Sequence, residues 1–287
     1  GTAFMHRWLI RALRYSDVRF WYAFAAVFVI PFCMIFAKGA RTSWRYFRRR
    51  HGYGRLRSLL MTYVNLTLFS QVVIDKFALY AGKRVSIKVV GSDIFRRLAS
   101  ADDGFVILSA HVGCYEMAGY ELVSDRKMFN ALVYANEKAS VMNGRSRLFA
   151  DNHIRMIPIT SDMSHLFRIE EALRGGEIVS IPADRVFGSR KTVGVSLLGA
   201  EASLPSGPFS VAAMRGLNVV AVNVMKTSAR GYTAYVVPID YDKTAPRREQ
   251  VRTLADGYAA ELERVLRMYP AQWYNFFDFW HDGAGNR

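Results

Sequence analysis

The chain of 287 residues has only two cysteines, Cys33 and Cys114, and neither sits at metal-ligand spacing from another candidate ligand. That excludes a disulfide scaffold and a zinc site and fits a reducing compartment. No G-x-S-x-G elbow occurs anywhere, which counts against a serine hydrolase. Internal repeats and low-complexity tracts are missing as well. Acid is scarce where base is dense: residues 1–60 hold one acidic residue, Asp17, against twelve Lys or Arg. This fifth of the chain therefore carries +11 of the formal +15, while the other 227 residues are near balance, at 27 basic against 23 acidic.

What is present is apolar. Hydrophobic residues make up 51% of the chain and aromatic residues 14%, which excludes a disordered protein and suits one that meets a membrane. A basic block can serve nucleic acid, an anionic membrane or an acidic protein. Here it flanks FWYAFAAVFVIPFCMIFA, residues 20–37, eighteen residues without a charge. A bilayer span needs about 20 apolar residues, so both a span and an interfacial helix stay open. Trp21 and Tyr22 suit an interfacial belt, and the arginines that follow suit the cytoplasmic side. Pro31 would kink such a helix, which membrane helices tolerate. The segment starts too far in for a signal peptide, and no small-residue cleavage site follows it.

Arg41, Arg45 and Arg48 recur at helical spacing, so the segment after the apolar run begins as a basic amphipathic helix. A second, more apolar helix follows from Leu59 to Leu79 and ends at Gly82. From Val85 the pattern changes to short apolar runs at 85–91, 105–110, 131–136, 154–159, 178–183, 193–199, 218–225 and 233–239, each reading as a strand. Helix-length segments at 140–151, 163–174, 206–216 and 246–268 lie between or after them. This alternation predicts an α/β fold: a mixed, mostly parallel central sheet flanked by helices. Residues 1–82 form a helical, hydrophobic and basic N-terminal region, and residues 83–287 the α/β domain.

Chemistry concentrates in FVILSAHVGCYEMAGY, residues 105–120. His111 falls at a strand end, a common place for open α/β sheets to hold a site. Gly113 allows a tight turn. A helix starting near Cys114 puts Glu116 in its first turn, where the dipole favours a carboxylate. A neutral imidazole can take a proton from a hydroxyl, and a carboxylate behind it fixes its tautomer. Cys114 is a rival nucleophile. A satisfied core histidine and an ordinary helix-start glutamate remain open at this point. His153 and His165 have no metal spacing and read as structural.

HVGCYE resembles the H-x4-D/E signature of the glycerolipid and lysophospholipid acyltransferase superfamily, and most closely its lipid A biosynthesis (late, Kdo-dependent) acyltransferases. GVSLLGAEASLPSGPFSVAAMRGLNVVAV, LRGGEIVSIPADR and YPAQWYNF are similar to that family's segments in order and spacing over roughly residues 85–280. Residues 20–57 correspond to its N-terminal anchor with a basic flank. The match is loose from Asn136 to Arg147 and after the 228–240 strand.

The resemblance implies acyl transfer from a thioester, acyl carrier protein or acyl-CoA, to a hydroxyl of a lipid or glycolipid such as a lipid A precursor. It implies His111 as general base and Glu116 as the residue that orients and charges it. The oxyanion would be met by backbone N–H groups at the turn or by an arginine, with Arg145 and Arg185 as candidates. Asp184 would shape the site, Gly113 would turn the chain there, and Gly207 would let amides approach a phosphate. No metal or other cofactor is expected. Expected partners are acyl carrier protein, a membrane lipid acceptor and an anionic membrane surface, at the cytoplasmic side of a Gram-negative inner membrane. A lysophospholipid or aminolipid O-acyltransferase is the alternative. From a different class comes a basic membrane- or nucleic-acid-binding protein without catalysis, although no nucleic-acid module is recognisable.

Overall fold

In the computed structural model, residues 3–134, 153–160, 164–185 and 191–280 are described. The predicted helix at 140–151, with Arg145, lies outside them. The N-terminal region is helical throughout: α1 (Ala3–Tyr15), α2 (Val18–Phe24), a π turn (Ala25–Val29), α3 (Ile30–Phe36), α4 (Lys38–Arg50) and α5 (Arg55–Tyr80). Asp17 caps α2 by accepting from the Arg19 N–H at 2.8 Å. Pro31 enters without a break because it occupies the first turn of α3, just after the π turn. Tyr63 on α5 donates to the Ala26 carbonyl at 3.0 Å and so satisfies a backbone group inside that turn.

The segment Val18–Phe36 and helix α5 are both long and apolar enough to cross a membrane. They differ in what they carry. Phe20, Phe28, Phe32, Ile35 and Phe36 are all more than 60% exposed. Helix α5 instead buries Asn65, Asp75 and Ala78 within the protein. Buried Asn65 donates to the carbonyls of Ala271 and Trp273 at 2.9 and 3.0 Å and accepts from Ser43, joining α4, α5 and the C-terminal stretch. Asp75 is buried with Lys226 at 2.5 Å, and the hydroxyls of Tyr22 and Tyr232 donate to the same carboxylate.

The α/β part follows as β1 (Ser86–Val90), α6 (Ser92–Ser100), β2 (Phe105–Ser109), a short 3₁₀ turn (Tyr115–Met117), α7 (Ala118–Glu121), β3 (Phe129–Tyr134), β4 (Ile154–Ile159), α8 (Ser164–Arg174), β5 (Ile178–Pro182), β6 (Thr192–Leu197), β7 (Ala200–Pro205), α9 (Gly207–Met214), β8 (Asn218–Ser228), β9 (Gly231–Pro238) and α10 (Arg247–Met268). Seven strands form one sheet in the order β1-β9-β8-β2-β5-β3-β4, with only β8 and β9 antiparallel. The mixed, mostly parallel sheet matches the expectation. Every residue of central β2 is buried, as a strand covered on both faces requires.

Two local expectations change. The predicted strand over 193–199 is one arm of a separate hairpin, β6 with β7. Leu198 and Gly199 both take positive φ (51° and 73°), the backbone of a tight two-residue turn. The helix expected from Cys114 shrinks to the 3₁₀ turn and four-residue α7.

The C-terminal stretch folds back under α4. Tyr46 stacks on Trp280 and meets Trp273 edge-on, and His51 lies 2.8 Å from the Tyr46 hydroxyl. Burial pushes the His51 imidazole down to about 4. Its folded value lies below its unfolded one, so the unfolded chain binds the proton more readily, and stability falls as pH drops from about 6.5 towards 4. Melting curves across that window should show a steeper loss for the wild-type protein than for His51→Gln.

Candidate active site

β2 ends in the middle of the sheet, between β8 and β5, and the chain then turns sharply. Gly113 has φ +52°, and a Cβ there would stand 2.0 Å from the Val224 carbonyl oxygen. Only glycine fits that approach. The loop is stitched on both sides. The Cys114 N–H donates to Val224 at 2.7 Å, the Gly113 N–H to Gln272 at 2.8 Å, and the Tyr274 N–H to His111 at 2.9 Å. The Gln272 side chain in turn pairs with both backbone groups of Lys226, at 2.8 and 2.7 Å. The C-terminal stretch PAQWYNF thus holds the histidine loop against β8.

His111 and Asp184 meet at the ends of neighbouring parallel strands. The Ala183 N–H donates to the Ser109 carbonyl at 2.9 Å, which continues the β2–β5 ladder to this point. One residue further, the fully buried Asp184 side chain accepts from His111 Nδ1 at 2.7 Å and from the His111 backbone N–H at 2.9 Å. Asn275 Nδ2 adds a third donor at 3.2 Å. Burial opposes ionisation of this carboxyl. The charge and hydrogen bonds of His111 outweigh it and hold the group below its usual value. A carboxylate only accepts, so Nδ1 is the protonated nitrogen, and in the neutral imidazole Nε2 carries the lone pair.

The Nδ1 position expected for Glu116 is therefore held by Asp184. Glu116 lies in the 3₁₀ turn facing α5, where its carboxylate is 2.6 Å from Lys76 Nζ. Cys114 is buried, and burial pushes its thiol up to about 12, far from a thiolate nucleophile. We expect Cys114→Ser to keep acyl-transfer activity within roughly an order of magnitude, checked by initial rates on the purified variant.

His111, Gly113, Glu116 and Arg185 share the wall of one cavity of about 470 Å³. Arg185 is fixed by Nε to Asn275 Oδ1 at 2.7 Å and Nη2 to the Tyr274 carbonyl at 3.0 Å, with its guanidinium 5.6 Å from the Phe277 ring centre. Because the N–H groups of His111, Gly113 and Cys114 are already bonded within the protein, the arginine is the better placed oxyanion candidate. Gly207 is not brought to this wall; it opens α9 directly after the β6–β7 hairpin. Arg145 lies outside the described residues. Sequence reasoning missed Lys76, Tyr274, Asn275 and the apolar wall of Phe69, Phe276 and Phe277. The YPAQWYNF stretch was the available signal for Tyr274 to Phe276, whereas Lys76 sits on a helix with no motif. Among the described residues, no cluster of three or more His, Cys, Asp or Glu could hold a metal ion.

Over residues 69–281 the chain matches the family model of the bacterial lipid A biosynthesis acyltransferases. The chain belongs to that family. It is thus an acyltransferase of lipid metabolism, with a lipid as acceptor. The matched region runs from Phe69 on α5 through the histidine loop and Asp184 to the C-terminal stretch, so it contains every wall of the cavity. Among solved structures, the 1-acyl-sn-glycerophosphate (LPA) acyltransferase of Thermotoga maritima covers 96% of this chain and 100% of its own, at 14% identity and a TM-score of 0.39. A likeness at that level carries no argument about this acyltransferase. No curated protein sequence matches the chain.

Proposed function

We propose that the acyltransferase moves a fatty acyl chain from a thioester, carried by acyl carrier protein or coenzyme A, to a hydroxyl of a glycolipid such as a lipid A precursor. The observation that carries this mechanism is the His111–Asp184 pair opening onto an apolar cavity. His111 Nε2 takes the proton of the acceptor hydroxyl as its oxygen attacks the thioester carbonyl. Asp184 holds the tautomer and stabilises the imidazolium. Arg185 faces the oxygen that gains charge in the tetrahedral intermediate. The carbon–sulfur bond then breaks, and the imidazolium returns its proton to the leaving thiolate. Glu116 acts from beside Lys76 in the same cavity rather than from behind the histidine.

The exposed aromatic face of α2 and α3, with the arginines of α4 beside it, supports docking on an anionic membrane at the cytoplasmic side of a Gram-negative inner membrane. The same positive charge would attract acidic acyl carrier protein. We expect the double variant Phe28→Asp and Phe32→Asp to lose most binding to phosphatidylglycerol-containing vesicles in flotation assays, with no change in the melting temperature. Two acyl donors and a glycolipid extract, offered to purified protein, test the reaction itself. Transfer from either thioester to a lipid hydroxyl supports the proposal, and release of free fatty acid alone contradicts it.

A further inference from the structure

Helix α5 presents Phe69, Val72, Val73 and Lys76 to the cavity, a spacing of three, four and seven residues that defines one helical face. Tyr274, Phe276 and Phe277 line the same cavity, and the Phe69 ring meets those of Tyr274 and Phe276 at 5.1 and 5.2 Å. Into this apolar groove the chain places one close ion pair, Lys76 Nζ to Glu116 Oε1 at 2.6 Å. The two side chains are 27% and 10% exposed. Desolvation works against the Lys76 charge, yet Glu116 together with Cys114 and Tyr115 holds the ammonium above its usual value.

Partly buried ion pairs contribute little net stability, because desolvation cancels most of the attraction. Charged groups shifted by a specific partner, and lining a cleft, point instead to function. The adjacent residue fixes where α5 sits: Asp75 is locked by Lys226, Tyr22 and Tyr232. Asp184 already supplies the carboxylate behind His111. The Lys76–Glu116 pair is thus a second charged device, lining the same cavity as His111.

We infer that Lys76 is a positioning residue for the acceptor. It holds the Glu116 carboxylate against the α5 wall, where Glu116 accepts a hydrogen bond from the acceptor's polar head and seats the attacking hydroxyl at His111 Nε2. An ammonium has three donors, so Lys76 can hold Glu116 without giving up contact with the head group. This inference rests on the acyl-transfer reading.

The test uses the full chain in detergent, saturated acyl-CoA and acyl-carrier-protein thioesters as donors, and lipid extracted from cells lacking the protein as acceptor. Lys76→Met should raise the KM for the lipid extract roughly tenfold or more, with a clearly smaller change in kcat. Lys76→Arg should restore most of the loss, and Lys76→Met with Glu116→Gln should be no worse than either change alone. Unchanged acceptor kinetics in Lys76→Met would overturn the role. So would additive losses in the double variant, or a loss in Lys76→Met and Lys76→Arg alike that tracks a lower melting temperature. A wild-type protein that releases no thiol from any thioester overturns the acyl-transfer reading and this inference with it; an active wild type with an indifferent Lys76→Met overturns only this one.

Discussion

Replacing His111 by alanine removes acyl transfer, with a fall in kcat of about a thousandfold or more, while the folded state and its membrane binding persist. The magnitude follows from what is lost. Without Nε2 the acceptor hydroxyl has no base, and without the imidazolium the leaving thiolate has no acid. The residual rate reflects binding and the Arg185 charge alone. Folding is expected to survive because the loop is held by backbone bonds from Gly113, Cys114 and Tyr274 that do not involve the imidazole. Circular dichroism and a melting curve on the same sample check that half of the prediction.

The second large effect belongs to Asp184→Asn, for which we expect a loss of about a hundredfold to ten-thousandfold in kcat with little change in acceptor KM. The amide is nearly the same shape, but it can no longer demand a proton on Nδ1 or stabilise the imidazolium. Glu116→Gln gives the contrast. If Asp184 orients the histidine, the Glu116 change falls mainly on acceptor KM, because its 2.6 Å partner is Lys76. Stability shifts too. The Asp184 carboxyl has a folded value below its unfolded one. Its contribution is therefore full above the unfolded value and lost as pH falls through the folded one. Asp184→Asn should flatten the acid limb of the melting curve, and an acid limb identical to the wild type would contradict that linkage.

Much of this was legible from residue pattern. The apolar run from Phe105 to Leu108 announced a strand, and a histidine at its end followed by Gly113 announced a turn with chemistry in it. Asp184 could be placed at a strand end, yet that it touches His111 depends on β5 pairing with β2, a long-range register that periodicity does not reveal. Glu116 lay close in sequence and so looked like the natural partner. A 3₁₀ turn in place of a full helix aims it at α5 instead, forty residues upstream. Lys76 carried no signal at all, because one lysine late in an apolar helix reads as a solvated end. The β6–β7 hairpin was missed although buried Ala202 and Leu204 alternate with exposed Glu201 and half-buried Ser203, since the Leu198–Gly199 turn lacks the usual Asn-Gly marker. Asn275, which bridges Asp184 and Arg185, sat inside the recognised C-terminal stretch, but nothing in its identity marked it apart from its neighbours.

The central claim is that this chain adds one acyl chain to a lipid hydroxyl through His111 backed by Asp184. Mass spectrometry of lipids from a strain lacking the protein, complemented with the wild-type chain or with His111→Ala, tests it most directly. The account predicts one lipid species heavier by a single ester-linked acyl group in the wild-type strain and absent with His111→Ala at equal protein level. The same species at equal abundance with His111→Ala, or no lipid changed by the wild-type chain, would contradict it.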